Sequence, residues 1–271
     1  FSDDGKLIYG RTEGNDGLHH VFTQSNGDLV LSGWDDAPDL SDPNNVRWAG
    51  LEVDSSGVVT QQFTNPDDRL SWSPRKDRIR ETLLMSDGRY AQVGTAGTDE
   101  FDASKDLDCA VVVREADGGL DTSFGGDGKV FVTFNWAEDD KCWAGAVQSD
   151  DKIIVAGYRG PTPWDIALAR LNTDGTLDTS FGTNGKVTSD LGGADSIRAV
   201  EIDANGKIVV AGKADVDFFV ARYTTAGALD TSFSSDGIHI FDLGAGQTDQ
   251  LWGMKIQDDG KIVVTGHNGA G

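Results

Sequence analysis

Short apolar stretches separated by glycine-rich turns recur along the chain, and none of them has helical periodicity. Residues 197–202, 207–212 and 218–223 are three consecutive examples, each six residues long and separated by the segments DANG (203–206) and KADVD (213–217). Stretches of this length, rich in β-branched and aromatic residues, are typical of β-strands. The 35 glycines against 6 prolines indicate tight turns rather than a disordered linker. The pattern predicts an all-β protein.

Two sequence phrases recur at similar spacing. Leu-Asp-Thr-Ser-Phe occurs at 120–124, 177–181 and 229–233, and Lys-Ile-(Ile/Val)-Val-Ala-Gly occurs at 152–157, 207–212 and, with one change, 261–266. A glycine six residues before a phenylalanine extends the pattern back to Phe63, and Phe1 fits the start of a further copy. Successive copies are therefore 62, 61, 57 and 52 residues long. Such self-similarity is the signature of a repeat architecture.

Each repeat contains four predicted strands, which is the number in a β-propeller blade. We therefore predict an all-β fold, a β-propeller of four-stranded antiparallel blades, with about five blades and the last blade incomplete. The predicted blades cover residues 1–62, 63–123, 124–180, 181–232 and 233–271 of a single domain that is part of a longer chain. The alternatives are a β-solenoid, whose repeats are usually shorter, and a row of β-sandwiches, each of which needs about seven strands.

The second and third predicted strands of each repeat are joined by a turn at a constant place. The slot holds Asn26-Gly27, Asp87-Gly88, Asn205-Gly206 and Asp259-Gly260, and in the third repeat Asp150-Asp151. Asn-Gly and Asp-Gly between apolar runs predict hairpins with type I′ turns.

The fifth repeat ends after its third predicted strand, so we expect an open sheet edge there. An open edge can pair with another chain. Either the native chain continues into further blades, or a neighbouring subunit completes the blade, which would allow self-association into a filament.

The sequences at 177–187 and 205–212, LDTSFGTNGKV and NGKIVVAG, resemble the delta-60 repeat. That repeat is found in large bacterial extracellular and cell-surface proteins and is thought to form propeller blades. Three units, from about Gly118 to Gly266, match closely, whereas residues 1–117 match only in spacing. The resemblance implies an exported bacterial repeat protein, and it gives no catalytic residues to carry over.

The formal net charge of −22 argues against a nucleic-acid partner and against anionic membrane surfaces. No run of eighteen apolar residues exists, so no membrane insertion is predicted. Cys109 and Cys142 are the only cysteines, and both a disulfide between them and two free thiols are open possibilities.

Acidic residues concentrate in the loops after the first and third predicted strands, which vary in length while the other turns are nearly constant. Variable loops on a repeated scaffold commonly carry function. Clustered carboxylates are ligands that Ca²⁺ prefers, although no complete EF-hand spacing is present. The candidate calcium ligands are Asp35, Asp36, Asp39, Asp42, Asp99, Glu100, Asp102, Asp139 and Asp140.

Three tryptophans lie in the same group of loops, namely Trp34, Trp136 and Trp164. Tryptophan is enriched at binding surfaces, so these residues are candidate contacts for a cell-surface glycan or a protein partner. The alternative is that they anchor the loops by packing.

No catalytic constellation stands out in the sequence. The four histidines lie in or beside predicted strands without a nucleophile motif, and carboxylate pairs carry no specificity in so acidic a chain. We therefore predict that the chain is not an enzyme. The predicted function is that of a secreted or cell-surface structural or adhesive module. The alternative is a ligand-binding propeller that takes calcium or carbohydrate at its acidic, tryptophan-bearing loops.

Overall fold

A computed structural model describes residues 17–24, 26–36, 46–62, 78–97, 107–134, 139–242, 244 and 248–268. These residues form eighteen β-strands and contain no helix, hence none able to cross a membrane. The strands are β1 (Gly17–Thr23), β2 (Leu29–Asp36), β3 (Val46–Val53), β4 (Val59–Gln62), β5 (Arg78–Leu84), β6 (Tyr90–Gly97), β7 (Leu107–Arg114), β8 (Lys129–Val132), β9 (Asp140–Val147), β10 (Ile153–Arg159), β11 (Asp165–Leu171), β12 (Lys186–Ser189), β13 (Ser196–Ile202), β14 (Ile208–Ala214), β15 (Asp217–Tyr223), β16 (Ile238–Phe241), β17 (Asp249–Ile256) and β18 (Ile262–Asn268).

The strands pair in chain order into four sheets of four strands, β1–β4, β5–β8, β9–β12 and β13–β16, followed by the two-stranded sheet β17–β18. The prediction of an all-β propeller with four-stranded antiparallel blades and an incomplete last blade is confirmed. The chain divides into two compact units, Phe1–Phe131 and Val132–Gly271.

The sheets are offset by one strand from the sequence repeats. β12 follows the glycine turn that opens a repeat, yet it pairs with β11 of the preceding repeat. The segment that connects β11 to β12 is hydrogen-bonded to the end of β11. Arg170 N–H donates to Gly185 O at 3.0 Å, and Asp178 N–H donates to Arg170 O at 2.8 Å. The strands that open the third, fourth and fifth repeats, β8, β12 and β16, thus complete the preceding sheets. β16 likewise pairs with β15 and belongs to the fourth sheet. The last sheet therefore has two strands in the described residues, where the sequence predicts three.

The two recurring phrases meet at one ion-pair site. The carboxylate of Asp178 accepts hydrogen bonds from the Ser180 amide and hydroxyl at 3.0 and 2.7 Å. Its second oxygen lies 2.9 Å from Arg170 Nε and 3.1 Å from Lys152 Nζ, the first residue of the other phrase. Phe181, which closes the phrase, is fully buried beneath the Arg170 guanidinium. The aspartate therefore fixes the turn and ties it to the third predicted strand of its own repeat.

The same arrangement recurs with Asp230 bound by Lys207 and Arg222, each at 2.7 Å. In unit one Asp121 is bound by Arg89, which stands where the later repeats have lysine. The repetition of both phrases is thus explained by one structural contact per repeat.

The hairpin turns occupy the predicted slot, but their geometry differs from type I′. At 203–206 the amide of Gly206 donates to Asp203 O at 2.9 Å, so Ala204 and Asn205 are the central residues of the turn. Neither of them has positive φ, whereas Gly206, which follows them, has a φ of 76°. This is the pattern of a type I turn followed by a left-handed residue. In the third repeat Asp151 takes that conformation, with a φ of 60°.

The core of the second unit lies between successive sheets. β10, β11, β14 and β15 are buried on nearly every residue. The sheet that contains β14 and β15 is packed between the sheet β9–β12 and the sheet β17–β18. Phe181 and Phe219 are fully buried there. Within this unit the first strands of successive sheets contact one another, β9 with β13 and β13 with β17. In the first unit the core includes Ile79 and Val112.

Candidate functional site

A β-bulge interrupts the first strand of all five sheets at the same register position. At each bulge the pairing register with the second strand skips one residue of the first strand. Bulges re-aim side chains and are common next to functional sites. The bulged residues are His19, Arg80, Trp143, Arg198 and Trp252.

The glycine that ends the Lys-Ile-Val-Val-Ala-Gly phrase is required by this bulge. A Cβ atom on Gly157 would lie 1.8 Å from Lys141 O, and one on Gly212 would lie 2.0 Å from Ser196 O. Gly94 and Gly266 face the first strands of their own sheets equally closely. The backbones therefore approach at a distance that only glycine allows.

An aromatic cluster lies at the bulge of the third sheet. The rings of Trp143 and Tyr158 are 6.5 Å apart between centroids, and Tyr158 is stacked on Trp164 at 4.7 Å and 26°. Tyr158 is buried, whereas Trp164 is 37% exposed. The cluster thus presents one indole to solvent on a buried aromatic support.

Arg198, the bulged residue of the fourth sheet, extends this cluster. Its guanidinium carbon lies 3.5 Å from the centroid of the Trp143 ring. Burial lowers the pKa of the Arg198 side chain, with a smaller opposing effect of Tyr158. We call Trp143, Tyr158, Trp164 and Arg198 the aromatic–arginine cluster.

A related pair occurs at the bulge of the last sheet. The indole N–H of Trp252 donates to His267 Nδ1 at 3.0 Å, and the two rings are stacked at 5.7 Å and 20°. By strand register His267 holds the position of Tyr158, and Lys213 holds that position in the fourth sheet. At these two equivalent positions the third and the last sheets have aromatic residues, and the fourth sheet, which lies between them in chain order, has two basic residues.

Of the three tryptophans predicted as ligand contacts, Trp164 lies in the aromatic–arginine cluster. Trp34 is in β2, where only its backbone is described, and Trp136 lies outside the described residues. The prediction that Trp34 and Trp136 contact a ligand stays a prediction.

The candidate calcium ligands are only partly described. Asp139 lies 3.0 Å from Lys141 Nζ. Asp140 is fully buried at the start of β9 and accepts a hydrogen bond from the Phe134 amide at 2.6 Å. Asp35 and Asp36 belong to β2, with their side chains undescribed. The candidates outside the described residues are Asp39, Asp42, Asp99, Glu100 and Asp102. Calcium binding by this set stays a prediction.

Three other carboxylates come together in the second unit. Oxygen atoms of Asp217, Asp242 and Asp249 lie within 4.8 Å of one another. Burial, and then the charges of Asp242 and Asp249, raise the pKa of Asp217. In the preceding sheet the residue equivalent to Asp217 is Asp165, which Arg159 neutralises at 2.8 Å. Ala214 stands at the position of that arginine in the fourth sheet.

The bulged residues are functional candidates that the sequence analysis missed. A feature of the sequence that could have identified them is an aspartate three residues before each bulged residue. Examples are Asp140-x-x-Trp143, Asp195-x-x-Arg198 and Asp249-x-x-Trp252. The three aspartates are fully buried. Because Asp195 accepts hydrogen bonds from the amides of Leu191 and Asp215, it fixes the entry to the bulged strand.

Both cysteines are disulfide-bonded, Cys109 in β7 and Cys142 in β9. Each is completely buried or nearly so. The alternative of two free thiols, which the sequence left open, is therefore wrong.

A β-propeller family described as "Domain of unknown function (DUF5122)" matches residues 148–181 and 204–233. These two segments contain the recurring phrases and the hairpins of the third and fourth sheets. The match supports a propeller repeat family. The comparison with curated proteins gives no match.

Solved structures with the same fold include a glucose dehydrogenase, at 10% identity and a TM-score of 0.53, covering 94% of this chain and 80% of that one. A thermostable family-43 glycoside hydrolase is 11% identical with a TM-score of 0.51, covering 94% and 85%. A protein of unknown function from Bacteroides caccae is 10% identical with a TM-score of 0.46 over 80% of this chain, which spans 60% of that protein's length.

The prediction that the chain is not an enzyme must be corrected. Its basis was the absence of a catalytic motif from a repeated β-scaffold, yet two proteins that share this fold are by name a dehydrogenase and a glycoside hydrolase. The fold therefore does not exclude catalysis. At 10–11% identity the likeness shows the fold alone and assigns no activity to this chain.

Proposed function

We propose that the chain is an extracellular adhesive β-propeller module that binds carbohydrate through the aromatic–arginine cluster. The observation that carries the proposal is the stack of Tyr158 and Trp164, at 4.7 Å, with 37% of Trp164 exposed. An exposed indole held parallel to a buried ring offers a flat, rigid apolar surface. Sugar rings present a matching flat face of C–H groups, so stacking on Trp164 is the contact that this geometry favours.

The extracellular location is supported by the disulfide-bonded cysteines. Disulfides form and persist in oxidising compartments and are rare in the cytosol. The net charge of −22 favours solubility and disfavours nucleic acid as the partner. The delta-60 identity of the repeats is part of this proposal, and the match to a propeller family over residues 148–181 and 204–233 supports it.

The test is a binding measurement on immobilised bacterial and host-surface glycans with wild-type protein and the variant Trp164→Ala. We expect Trp164→Ala to weaken binding about tenfold or more, since truncation of an aromatic anchor commonly costs this much. The matched control is Phe131→Ala, because Phe131 is exposed to almost the same degree, 36%, and lies outside the cluster.

Thermal melting of each variant shows whether the fold is intact. Equal loss of binding in both variants, or unchanged binding by Trp164→Ala, would contradict a site at Trp164. Absence of binding to every glycan by the wild-type protein would contradict carbohydrate adhesion itself.

A further inference from the structure

Arg198 differs from four other arginines of the described residues, each of which has a carboxylate partner. Four arginines each bind a carboxylate within 2.9 Å, in the pairs Arg89–Asp121, Arg159–Asp165, Arg170–Asp178 and Arg222–Asp230. Within the described part of the chain Arg198 makes no such pair and lies over an indole ring instead. The chain has 45 acidic and 23 basic residues, so carboxylates outnumber the cations that could pair with them.

The arginine is also half-buried, so part of its hydration is lost. A cation removed from water without an anionic partner is costly, and the contact with Trp143 offsets only part of that cost. A half-buried guanidinium without a carboxylate partner is suited to bind an anionic ligand that supplies the carboxylate.

Lys213 strengthens the positive character of the same place. Its position in β14 corresponds to Tyr158 in the third sheet and His267 in the last. By register, Arg198 and Lys213 hold the two positions in the fourth sheet that are occupied by aromatic residues in the sheets on either side. A ligand that suits this order has flat apolar rings and an acidic group.

We infer that the carbohydrate bound at the aromatic–arginine cluster is an acidic oligosaccharide of the uronic acid type, whose carboxylate pairs with Arg198 while a neighbouring sugar ring stacks on Trp164. This inference rests on the proposed function and names its ligand class. The arginine fork matches a carboxylate in geometry and binds it through two parallel hydrogen bonds. In this arrangement the carboxylate and the stacked ring belong to different sugar units, and the rings of Trp143 and Tyr158 lie between their two contacts in the chain of ring contacts.

The experiment compares oligogalacturonate with its methyl ester by titration calorimetry. The ester keeps the sugar rings and removes the charge. We expect the wild-type protein to bind the acid about tenfold more tightly than the ester, since a hydrogen-bonded charge pair contributes this much. Added salt should reduce this preference, because it screens a partly exposed ion pair.

The variant Arg198→Gln should bind acid and ester equally, at the affinity of the wild-type protein for the ester. Arg198→Lys should keep part of the preference. The matched control is Lys255→Gln, since Lys255 is an exposed cation of the same unit paired with Glu201. The control should bind both ligands like the wild-type protein.

Equal binding of acid and ester by the wild-type protein would overturn this inference and leave the proposed carbohydrate adhesion standing. Tighter binding of a sulfated oligosaccharide than of the uronate would also overturn it. Absence of binding to either form, and to neutral glycans, would overturn both proposals. The wild-type comparison decides the matter even if Arg198→Gln fails to fold.

Discussion

The guanidinium carbon of Arg198 lies 3.5 Å from the ring centroid of Trp143, and the two residues hold the same bulge position in adjacent sheets. One repeated backbone irregularity thus places different side chains next to one another. Trp143 alone is a partly buried aromatic residue, and Arg198 alone is a desolvated cation. Together they form a mixed surface, so the variation among otherwise similar repeats creates the candidate site.

The first prediction concerns the glycine that allows the bulge. Gly157→Ala brings a Cβ to 1.8 Å from Lys141 O, so the backbone of β9 or β10 must shift. We expect the free energy of unfolding to fall by about 1–3 kcal/mol, the usual cost of overpacking. We also expect the tryptophan fluorescence of the folded protein to change, since the bulge sets the position of Trp143.

The control for this prediction is Gly119→Ala. Gly119 has no positive φ, and the nearest atom to its Cβ would be an exposed aspartate oxygen at 3.2 Å. We expect a change within about 0.5 kcal/mol. If urea unfolding gives equal stabilities for Gly157→Ala and wild type, the bulge does not depend on this glycine.

Much of the fold follows from the sequence, because strands and turns are local. The slot Asn205-Gly206 and the strands on either side are found where the pattern predicts them. Even Asp150-Asp151 obeys the rule, since Asp151 adopts the left-handed conformation of the missing glycine. At such turn positions the residue type itself indicates the backbone conformation.

The grouping of strands and the site are less visible in the sequence. A sequence repeat can be divided at any point, so the residues around Lys186 do not indicate which sheet their strand joins. In the structure Lys186 begins the last strand of the preceding sheet. The bulge is a two-strand property, and Trp143 resembles any other half-buried tryptophan in the sequence. Only the pairing of Gly157 with Cys142 shows which side chain the bulge re-aims.

The second prediction concerns acid unfolding. Hydrogen bonds from Ser180, followed by Lys152 and the charge of Arg170, hold the pKa of Asp178 well below its ordinary 3.8. Lys207 and then Ser232 do the same for Asp230. A depressed pKa contributes stability that is complete above the unfolded value and lost as pH falls toward the folded one.

We therefore expect the melting temperature to fall progressively below about pH 4, because the unfolded chain takes up protons on these two carboxylates before the folded protein does. The double variant Asp178→Asn, Asp230→Asn should be less stable at pH 7 and should lose less on acidification. Parallel pH profiles of wild type and double variant, measured by circular dichroism, would show that these aspartates do not govern acid stability.

The third prediction concerns the carboxylates of Asp217, Asp242 and Asp249. Because the pKa of Asp217 is raised, its ionised form is disfavoured in the fold, and the sign is opposite to that of Asp178. Asp217→Asn should therefore raise the melting temperature at pH 7, and the gain should vanish as the pH falls below the ordinary carboxyl value. Asp258→Asn, at an exposed turn, is the control and should change little.

Millimolar calcium adds a second measurement to the same pair of proteins. If repulsion alone operates at this cluster, calcium leaves the difference between wild type and Asp217→Asn unchanged. A melting temperature that rises with calcium in the wild type, and not in the variant, would contradict that account, since a native-state ligand stabilises the fold.

The fourth prediction concerns the disulfide-bonded Cys109 and Cys142. Reduction should lower the free energy of unfolding by about 2–5 kcal/mol, as is typical of native disulfides. The double variant Cys109→Ser, Cys142→Ser should be insensitive to the reductant. Two reactive thiols in unreduced, denatured wild-type protein would contradict the disulfide and weaken the case for an extracellular location.

The most direct test of the binding account is a crystal structure of the chain with an oligogalacturonate bound. The account predicts one sugar ring stacked parallel to the indole of Trp164 and a carboxylate of the same ligand about 3 Å from the guanidinium nitrogens of Arg198. An oligosaccharide bound elsewhere on the protein, or one whose carboxylates avoid Arg198, would contradict it.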